Sequence, residues 1–238
     1  MQEVENKIIK VGLSVQEGIK SAPWAWHDEQ TKLLLGFEVD IANAIVKELG
    51  LIPEFVPLDN YRLIVGLINR SCDMVVSALK TQNPLAGIIF SDPYYQLTQR
   101  IVTLEDSNID TLEDLQGKTV GVLVKSMGEH IVQNYNLKMS KLIELQTFED
   151  VLDLFSSLHF KDIEAVFIDS PVALWYCKTY LDTPLKVSDT AYKSGSYSVG
   201  FRETSVDLRN QVNKALKKMN LHEILEKYGL WDDAQKGI

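Results

Sequence analysis

The sequence predicts an α/β protein of two lobes. Strand and helix patterns alternate from residue 7 to about residue 77, a similar alternation restarts near residue 111, and no Gly/Ser-rich linker separates the two halves. Alternation of this kind favours a parallel or mixed sheet flanked by helices. With 238 residues, the chain has room for two lobes, each of about 100–120 residues. We expect extended strands to join them.

Periodic apolar residues place the elements of the first half. A Gly-Phe pair at Gly36 opens a helix whose apolar positions recur at helical spacing, and Gly50 ends it. The predicted strands are 7–13, 54–56 and 73–77, and a second helix face covers 63–68.

The second half repeats this order. Pro171 stands where a proline favours the start of a helix, directly after an apolar strand. The predicted strands are 118–123, 142–145, 164–168 and 196–201, and the predicted helices are a short capped one at 111–114 and longer ones at 128–135, 148–155, 171–180 and 208–219.

Composition excludes several classes of function. The net charge of −9 argues against a nucleic-acid partner, which requires a basic face. The longest apolar run is shorter than the roughly 18–20 residues that cross a bilayer. The polar start lacks the apolar stretch of a signal peptide, so if the protein is exported we expect its signal to have been removed.

Cysteines and histidines indicate no metal site. Cys72 and Cys177 lie far apart, in different predicted lobes, which favours two free thiols over a disulfide. The histidines are scattered and form no paired motif. We expect no metal and no other cofactor.

Several short motifs, in order along nearly the whole chain, resemble one family. Gly36-Phe37-Glu38-Val39-Asp40-Ile41 is followed about fifty residues later by Phe90-Ser91-Asp92-Pro93-Tyr94. With Ala22-Pro23-Trp24 and Ala165 to Pro171, they resemble the extracytoplasmic polar amino-acid-binding proteins of ABC importers. None is decisive alone, but the two longer motifs in this order are specific together.

The resemblance implies a type II periplasmic-binding-protein fold, in which each lobe is a mixed sheet flanked by helices and two hinge strands join the lobes. Lobe 1 would contain residues 1–97 and 191–238, and lobe 2 residues 98–190. The crossing strands would lie near 98–102 and 187–193. Such proteins close over a ligand in the interlobe cleft by hinge motion.

The resemblance also implies polar ligand contacts in lobe 2. Asp169 would bind the ligand's α-ammonium, and its alternative role is to cap the helix that follows. Ser126 would bind a carboxylate with the helix N-terminus behind it, although Lys125 stands where the family has glycine. A purely structural N-cap is the alternative for Ser126.

Aromatic contacts are expected from lobe 1. The face of Trp24 would stack on the ligand side chain, since an indole face attracts aliphatic stems and cations. The alternative is that one of the indoles of Trp24 and Trp26 packs in the core. Tyr61 is the second candidate, and Asn60 beside it is an alternative cap for the following helix.

The segment after the third predicted strand departs from the family. Ser77, Ala78 and Thr81 would bind the ligand's charged ends, but the arginine of the family's Thr-x-x-Arg motif is replaced by Pro84. Lys80 could supply a charge, although a lysine cannot form the bidentate pair of a guanidinium. The alternative is that Lys80 is a solvated surface residue with no role in binding.

The resemblance therefore implies a non-catalytic, monomeric, periplasmic or extracellular binding protein, which delivers a small polar ligand, an amino acid foremost, to the membrane permease of an ABC importer. One alternative is a cyclohexadienyl-dehydratase-like enzyme on the same fold, with Glu129 or Glu17 as its acid. Glu129 and His130 are a weak catalytic pair, because adjacent helical residues point in different directions.

Another alternative is the sensor domain of a membrane receptor. The chain ends near Trp231, where free binding proteins stop, which leans against a sensor.

Overall fold

The computed structural model describes residues 7–15, 22–77, 79, 85–179 and 184–236. The chain divides into two compact units. Unit 1 comprises Met1–Gln96 and Gly195–Ile238, and unit 2 comprises Leu97–Ser194. The expected lobe boundaries were 97/98 and 190/191, close to these.

Unit 1 is built around the chain's first strands. Its elements are β1 (Ile8–Ser14), β2 (Trp26–His27), β3 (Leu34–Leu35), α1 (Phe37–Glu48), β4 (Ile52–Leu58), a 3₁₀ turn (Asn60–Arg62), α2 (Leu63–Ile68), β5 (Met74–Val75), α6 (Val206–Leu216), α7 (Leu221–Lys227) and a 3₁₀ turn (Asp233–Gln235).

Parallel pairing organises the sheet of unit 1. The strand β1 lies between β4 and β5 and runs parallel to both, so the three strands end at one edge. At that edge the Ser14 N–H donates a 2.8 Å hydrogen bond to Ser77 Oγ. The strand predicted at 73–77 is observed as β5, which contains only Met74 and Val75 and is therefore shorter than predicted.

Unit 2 repeats the strand–helix order. Its elements are β7 (Thr119–Leu123), α3 (Met127–Asn136), β8 (Glu144–Phe148), α4 (Val151–His159), β9 (Ala165–Asp169), α5 (Ser170–Thr179) and β10 (Leu185–Val187). The strand β7 pairs in parallel with β8 and β9. Val120 of β7 packs with other apolar side chains, including Val132 and Phe167, in a buried cluster of this unit.

Two long strands belong to both units. The strand β6 (Ile88–Leu104) changes unit after Gln96, and β11 (Tyr192–Arg202) changes unit after Ser194. The first change of unit falls just before the expected range of 98–102, and the second falls just beyond the expected range of 187–193. Within unit 2, β6 pairs antiparallel with β9 and with β10.

The two motifs that carry the family resemblance meet in the core of unit 1. The hydroxyl of Tyr94 donates a 2.7 Å hydrogen bond to Glu38 Oε1, and both side chains are fully buried. The rings of Phe37 and Tyr95 pack at 5.8 Å beside them. A buried carboxylate is costly unless it is hydrogen-bonded, which explains why a tyrosine faces Glu38.

A polar cluster attaches α7 to α1. Asp40 Oδ2 accepts hydrogen bonds from Lys227 Nζ at 2.6 Å and from the Tyr228 hydroxyl at 2.9 Å. Burial and the hydrogen bond to Asp40 raise the pKa of Tyr228 to about 12. Asp40 therefore has a structural role, and so does Asp73, which pairs with Arg202 at 3.6 Å.

Some local expectations were wrong. Residues 111–114 form a turn rather than a capped helix, in which Asp114 Oδ2 accepts hydrogen bonds from the Thr111 N–H and Oγ1. Ile68 was expected on the inner face of α2, but it is 60% exposed. The sequence also did not predict β2, β3, β10 or α7, which are short.

We predict that Gly36→Ala is much more destabilising than Gly50→Ala. Both glycines have positive φ, of 135° and 66°, which disfavours alanine in each case. A Cβ at Gly36 would also lie 2.6 Å from the Trp24 carbonyl carbon, whereas nothing lies within 4 Å at Gly50. Gly36→Ala should lower the free energy of unfolding by about 3 kcal/mol or more, and Gly50→Ala by about 1 kcal/mol. Urea denaturation measures both, and equal losses would contradict the packing role assigned to Gly36.

Candidate functional site

Two of the predicted ligand contacts follow neighbouring parallel strands of unit 2. The strand β7 ends at Leu123 and β9 ends at Asp169, and Val120 pairs with Ala165 in the register between them. The carboxyl ends of parallel strands lie at one edge of the sheet, where α/β proteins bind ligands. The structure therefore brings the Ser126 segment and Asp169 to the same edge.

Ser126 begins helix α3 at this edge. Its Oγ accepts a 3.1 Å hydrogen bond from the Glu129 N–H, and Glu129 Oε2 accepts a 2.6 Å hydrogen bond from the Lys125 N–H. The structural N-cap that we considered for Ser126 is thus observed. Its hydroxyl hydrogen remains able to donate to a ligand. Its ligand role stays a prediction.

The first turn of α3 packs closely on β9. A Cβ on Gly128 would lie 2.8 Å from the carbonyl oxygen of Phe167. Only a residue without a side chain allows this approach. It sets the N-terminus of α3, which carries a partial positive charge, beside the end of β9.

Asp169 is the last residue of β9 and is half-buried. Its Oδ1 accepts a hydrogen bond from Gln99 Nε2, and Gln99 is its direct partner in the β6–β9 register. Helix α5 begins immediately afterwards, at Ser170. The edge of unit 2 therefore presents the Asp169 carboxylate next to the N-terminus of helix α3, which carries a partial positive charge.

The predicted ligand contacts of unit 1 differ in their surroundings. Trp24 is half-buried, and its Nε1 is buried without a hydrogen-bond partner in the described part of the chain. Trp26 is the indole that packs in the core, 8% exposed and edge-on to Tyr228 at 6.3 Å. Ser77 is buried, with its Oγ bound to Ser14. The ligand roles of Trp24 and Ser77 remain predictions.

Tyr61 lies in the 3₁₀ turn before α2 and is 73% exposed, with the Arg62 guanidinium 5.6 Å from its ring centre. The alternative in which Asn60 caps α2 is wrong, because Arg62 occupies the N-cap position and no side chain caps the helix. The ligand role of Tyr61 stays a prediction.

Three predicted contacts lie outside the described residues: Ala78, Lys80 and Thr81. Glu17, one of the two acids considered for an enzyme, also lies outside them. The other, Glu129, has both carboxylate oxygens engaged, since Oε1 accepts a 2.9 Å hydrogen bond from Gln133 and Oε2 binds the Lys125 N–H. Glu129 therefore stabilises the start of α3.

Metal and thiol chemistry find little support in the described residues. They contain no group of three or more histidine, cysteine or acidic side chains placed to hold a metal ion. Cys72 and Cys177 are free and lie in different units. Burial raises the pKa of Cys72 to about 11 and that of Cys177 to about 12, so both thiols stay protonated at neutral pH.

Comparison with protein families decides the assignment. Residues 13–230 match the model of the bacterial extracellular solute-binding proteins, family 3. The chain belongs to this family. The predicted family and its two-lobed α/β fold class are confirmed. Members of the family are extracytoplasmic and work with ABC transporters.

Relatives in this family are named as binding proteins. The arginine-binding extracellular protein ArtP of Bacillus subtilis is 31% identical over 200 residues, which cover 82% of this chain and 76% of the relative. The histidine-binding periplasmic protein of Escherichia coli K12 is 30% identical over 222 residues, covering 87% and 81%.

Solved structures of similar proteins share the fold. An ancestral arginine-binding protein bound to arginine has 30% identity and a TM-score of 0.69, over 93% of this chain and 97% of that one. The second substrate-binding domain of Lactococcus lactis GlnP has a TM-score of 0.82 at 20% identity, over 96% of this chain and 97% of that one.

The described residues contain no helix long and apolar enough to cross a membrane.

Sequence reasoning did not identify Gln99 as part of the site. Its role depends on the pairing of β6 with β9, which joins residues 70 positions apart. A glutamine within a run of polar residues carries no local signal of this contact.

Proposed function

We propose that this member of the family binds an α-amino acid, acts as a monomer, and delivers its ligand to the membrane permease of an ABC importer. The observation that carries the proposal is the edge of unit 2, where the Asp169 carboxylate lies beside the N-terminus of α3. Each charged end of a zwitterion needs a partner, and this edge offers a carboxylate for one end and the partial positive charge of a helix N-terminus for the other.

The two charged ends of the ligand take different partners in this proposal. Asp169 accepts hydrogen bonds from the α-ammonium group. The α-carboxylate accepts hydrogen bonds from the Ser126 hydroxyl and from backbone N–H groups at the start of α3. This second arrangement needs no guanidinium, which is consistent with Pro84 in place of the family's arginine.

A basic amino acid, arginine first and histidine second, is the favoured ligand within this class. The family relatives described above are named for arginine and histidine. The net charge of −9 attracts cations over a long range. The face of Trp24 could hold a guanidinium by a cation–π contact.

The protein is also proposed to have no catalytic activity. An acid on this fold would have to be available to a substrate, and both oxygens of Glu129 are engaged within α3 and its entry. The relatives described above are named as binding proteins rather than enzymes.

Thermal unfolding with each of the twenty amino acids tests the ligand class. A ligand present at a hundred times its dissociation constant stabilises the folded state by about 2.7 kcal/mol. We expect the largest rise in melting temperature with L-arginine, and less with agmatine, which lacks the carboxylate. Strong stabilisation by agmatine with no response to any amino acid would contradict the proposal.

Replacement of Asp169 by Asn tests whether the Asp169 carboxylate binds the ligand's ammonium group. It keeps the shape but removes the charge that meets the ammonium, so the binding free energy of L-arginine should weaken by about 2–4 kcal/mol. Isothermal titration calorimetry measures this change. Asp153→Asn is the matched control, because Asp153 is an exposed carboxylate on α4 of the same unit and should leave affinity unchanged. An Asp169→Asn variant with wild-type affinity would exclude the assignment.

A further inference from the structure

A buried amide on β6 contacts the Asp169 carboxylate. Gln99 is 1% exposed, and its Nε2 donates one hydrogen bond to Asp169 Oδ1 and another, of 3.1 Å, to Ser194 Oγ. An amide NH₂ group has two hydrogens, so both are used. Three separate strands, β6, β9 and β11, therefore meet at this one side chain.

The amide of Gln99 also lies against the helix that carries Ser126. A Cβ on Gly128 would be 3.2 Å from Gln99 Oε1. The amide is thus enclosed by β9, β11 and the first turn of α3, and it has little space in which to rotate. Its orientation is fixed by this packing, with one N–H directed at Asp169.

We infer that Gln99 is a positioning residue for ligand binding, which holds the Asp169 carboxylate in the orientation that meets the ligand's ammonium group. The inference rests on the proposed function, because it takes Asp169 as a ligand contact. No direct contact between Gln99 and the ligand is required.

Two physical effects give Gln99 this role. A half-buried carboxylate at the end of a strand has several rotamers, and holding one of them before the ligand arrives lowers the entropic cost of binding. A hydrogen bond from an N–H donor is also directional, so it favours the carboxylate rotamer that accepts it.

Two variants separate positioning from packing. Gln99→Glu keeps the shape of the side chain but turns a carboxylate towards Asp169, so the two groups repel each other. Gln99→Met keeps an unbranched chain of similar length and removes both donors. If Gln99 positions Asp169, the affinity for L-arginine should fall roughly tenfold in Gln99→Met and further in Gln99→Glu.

A double-mutant cycle with Asp169→Asn shows whether Gln99 acts through Asp169. Coupled residues give non-additive effects, whereas independent residues give additive ones. In the Asp169→Asn background, Gln99→Met should change the affinity by no more than about twofold. The measurement is isothermal titration calorimetry with L-arginine, after the melting temperature of each unliganded variant shows that it is folded.

Gln116→Met is the matched control. Gln116 is a half-buried glutamine of unit 2 whose Nε2 donates to the Tyr135 hydroxyl at 2.9 Å, and it makes no contact with Asp169 among the described interactions. It should bind L-arginine as the wild type does. A tenfold loss in this variant would mean that any buried glutamine of the unit affects binding, and would overturn the specific role of Gln99.

The remaining outcomes distinguish this inference from the proposed function. If Asp169→Asn weakens binding but Gln99→Met and Gln99→Glu bind normally, the inference fails and the proposed function stands. The inference also fails if Gln99→Met costs the same affinity with and without Asp169→Asn. If Asp169→Asn itself binds L-arginine normally, the assignment of Asp169 as the ammonium partner fails, and the positioning role of Gln99 fails with it.

Discussion

The parallel pairing of β7 with β9 is the constraint on which the candidate site depends. It brings the loop after Leu123 and the end of β9 to one edge of the sheet, although Ser126 and Asp169 are far apart in the chain. Gly128 then allows α3 to approach the Phe167 carbonyl oxygen. If this pairing moved by one residue, Asp169 would point to the opposite face of the sheet, because successive side chains of a strand alternate.

Unit 1 depends on a different interaction, the buried hydrogen bond between Glu38 and Tyr94. It explains why two motifs about fifty residues apart occur together in this sequence. The glutamate of the first motif needs a donor once it is buried, and the tyrosine of the second supplies it. The Phe37–Tyr95 contact adds apolar packing at the same place. Both motifs are therefore structural, although they helped to identify a binding protein.

Much of the fold could be predicted because its strands and helices have regular apolar periods. The ends of β6 and β11 could not. The strand β6 buries Thr98, Gln99, Arg100 and Thr103, and buried polar residues of this kind resemble a loop in sequence. Their partners are in distant strands, as in the case of Arg100, whose guanidinium donates to the Ser188 and Asp189 carbonyl oxygens. No local pattern predicts such contacts.

The candidate site, like the fold, could be predicted only in part from the sequence. The placement of Asp169 and Ser126 at one edge of the sheet could be predicted, because each lies at or just after the end of a recognisable strand. The alternative that one of the two neighbouring indoles packs in the core is observed for Trp26. The sequence did not identify Gln99, whose contact with Asp169 exists only once β6 and β9 are paired. Positioning residues of this kind require a structure.

The central claim is that Asp169 binds the α-ammonium of an amino acid. Its most direct test compares L-arginine with the deaminated analogue, which keeps the carboxylate and the guanidinium, by calorimetry in the wild type and in Asp169→Asn. The wild type should bind L-arginine about a hundredfold more tightly than the analogue, and Asp169→Asn should bind the two within about threefold. An equally large preference for L-arginine in both proteins would show that another group binds the ammonium, and would contradict the claim.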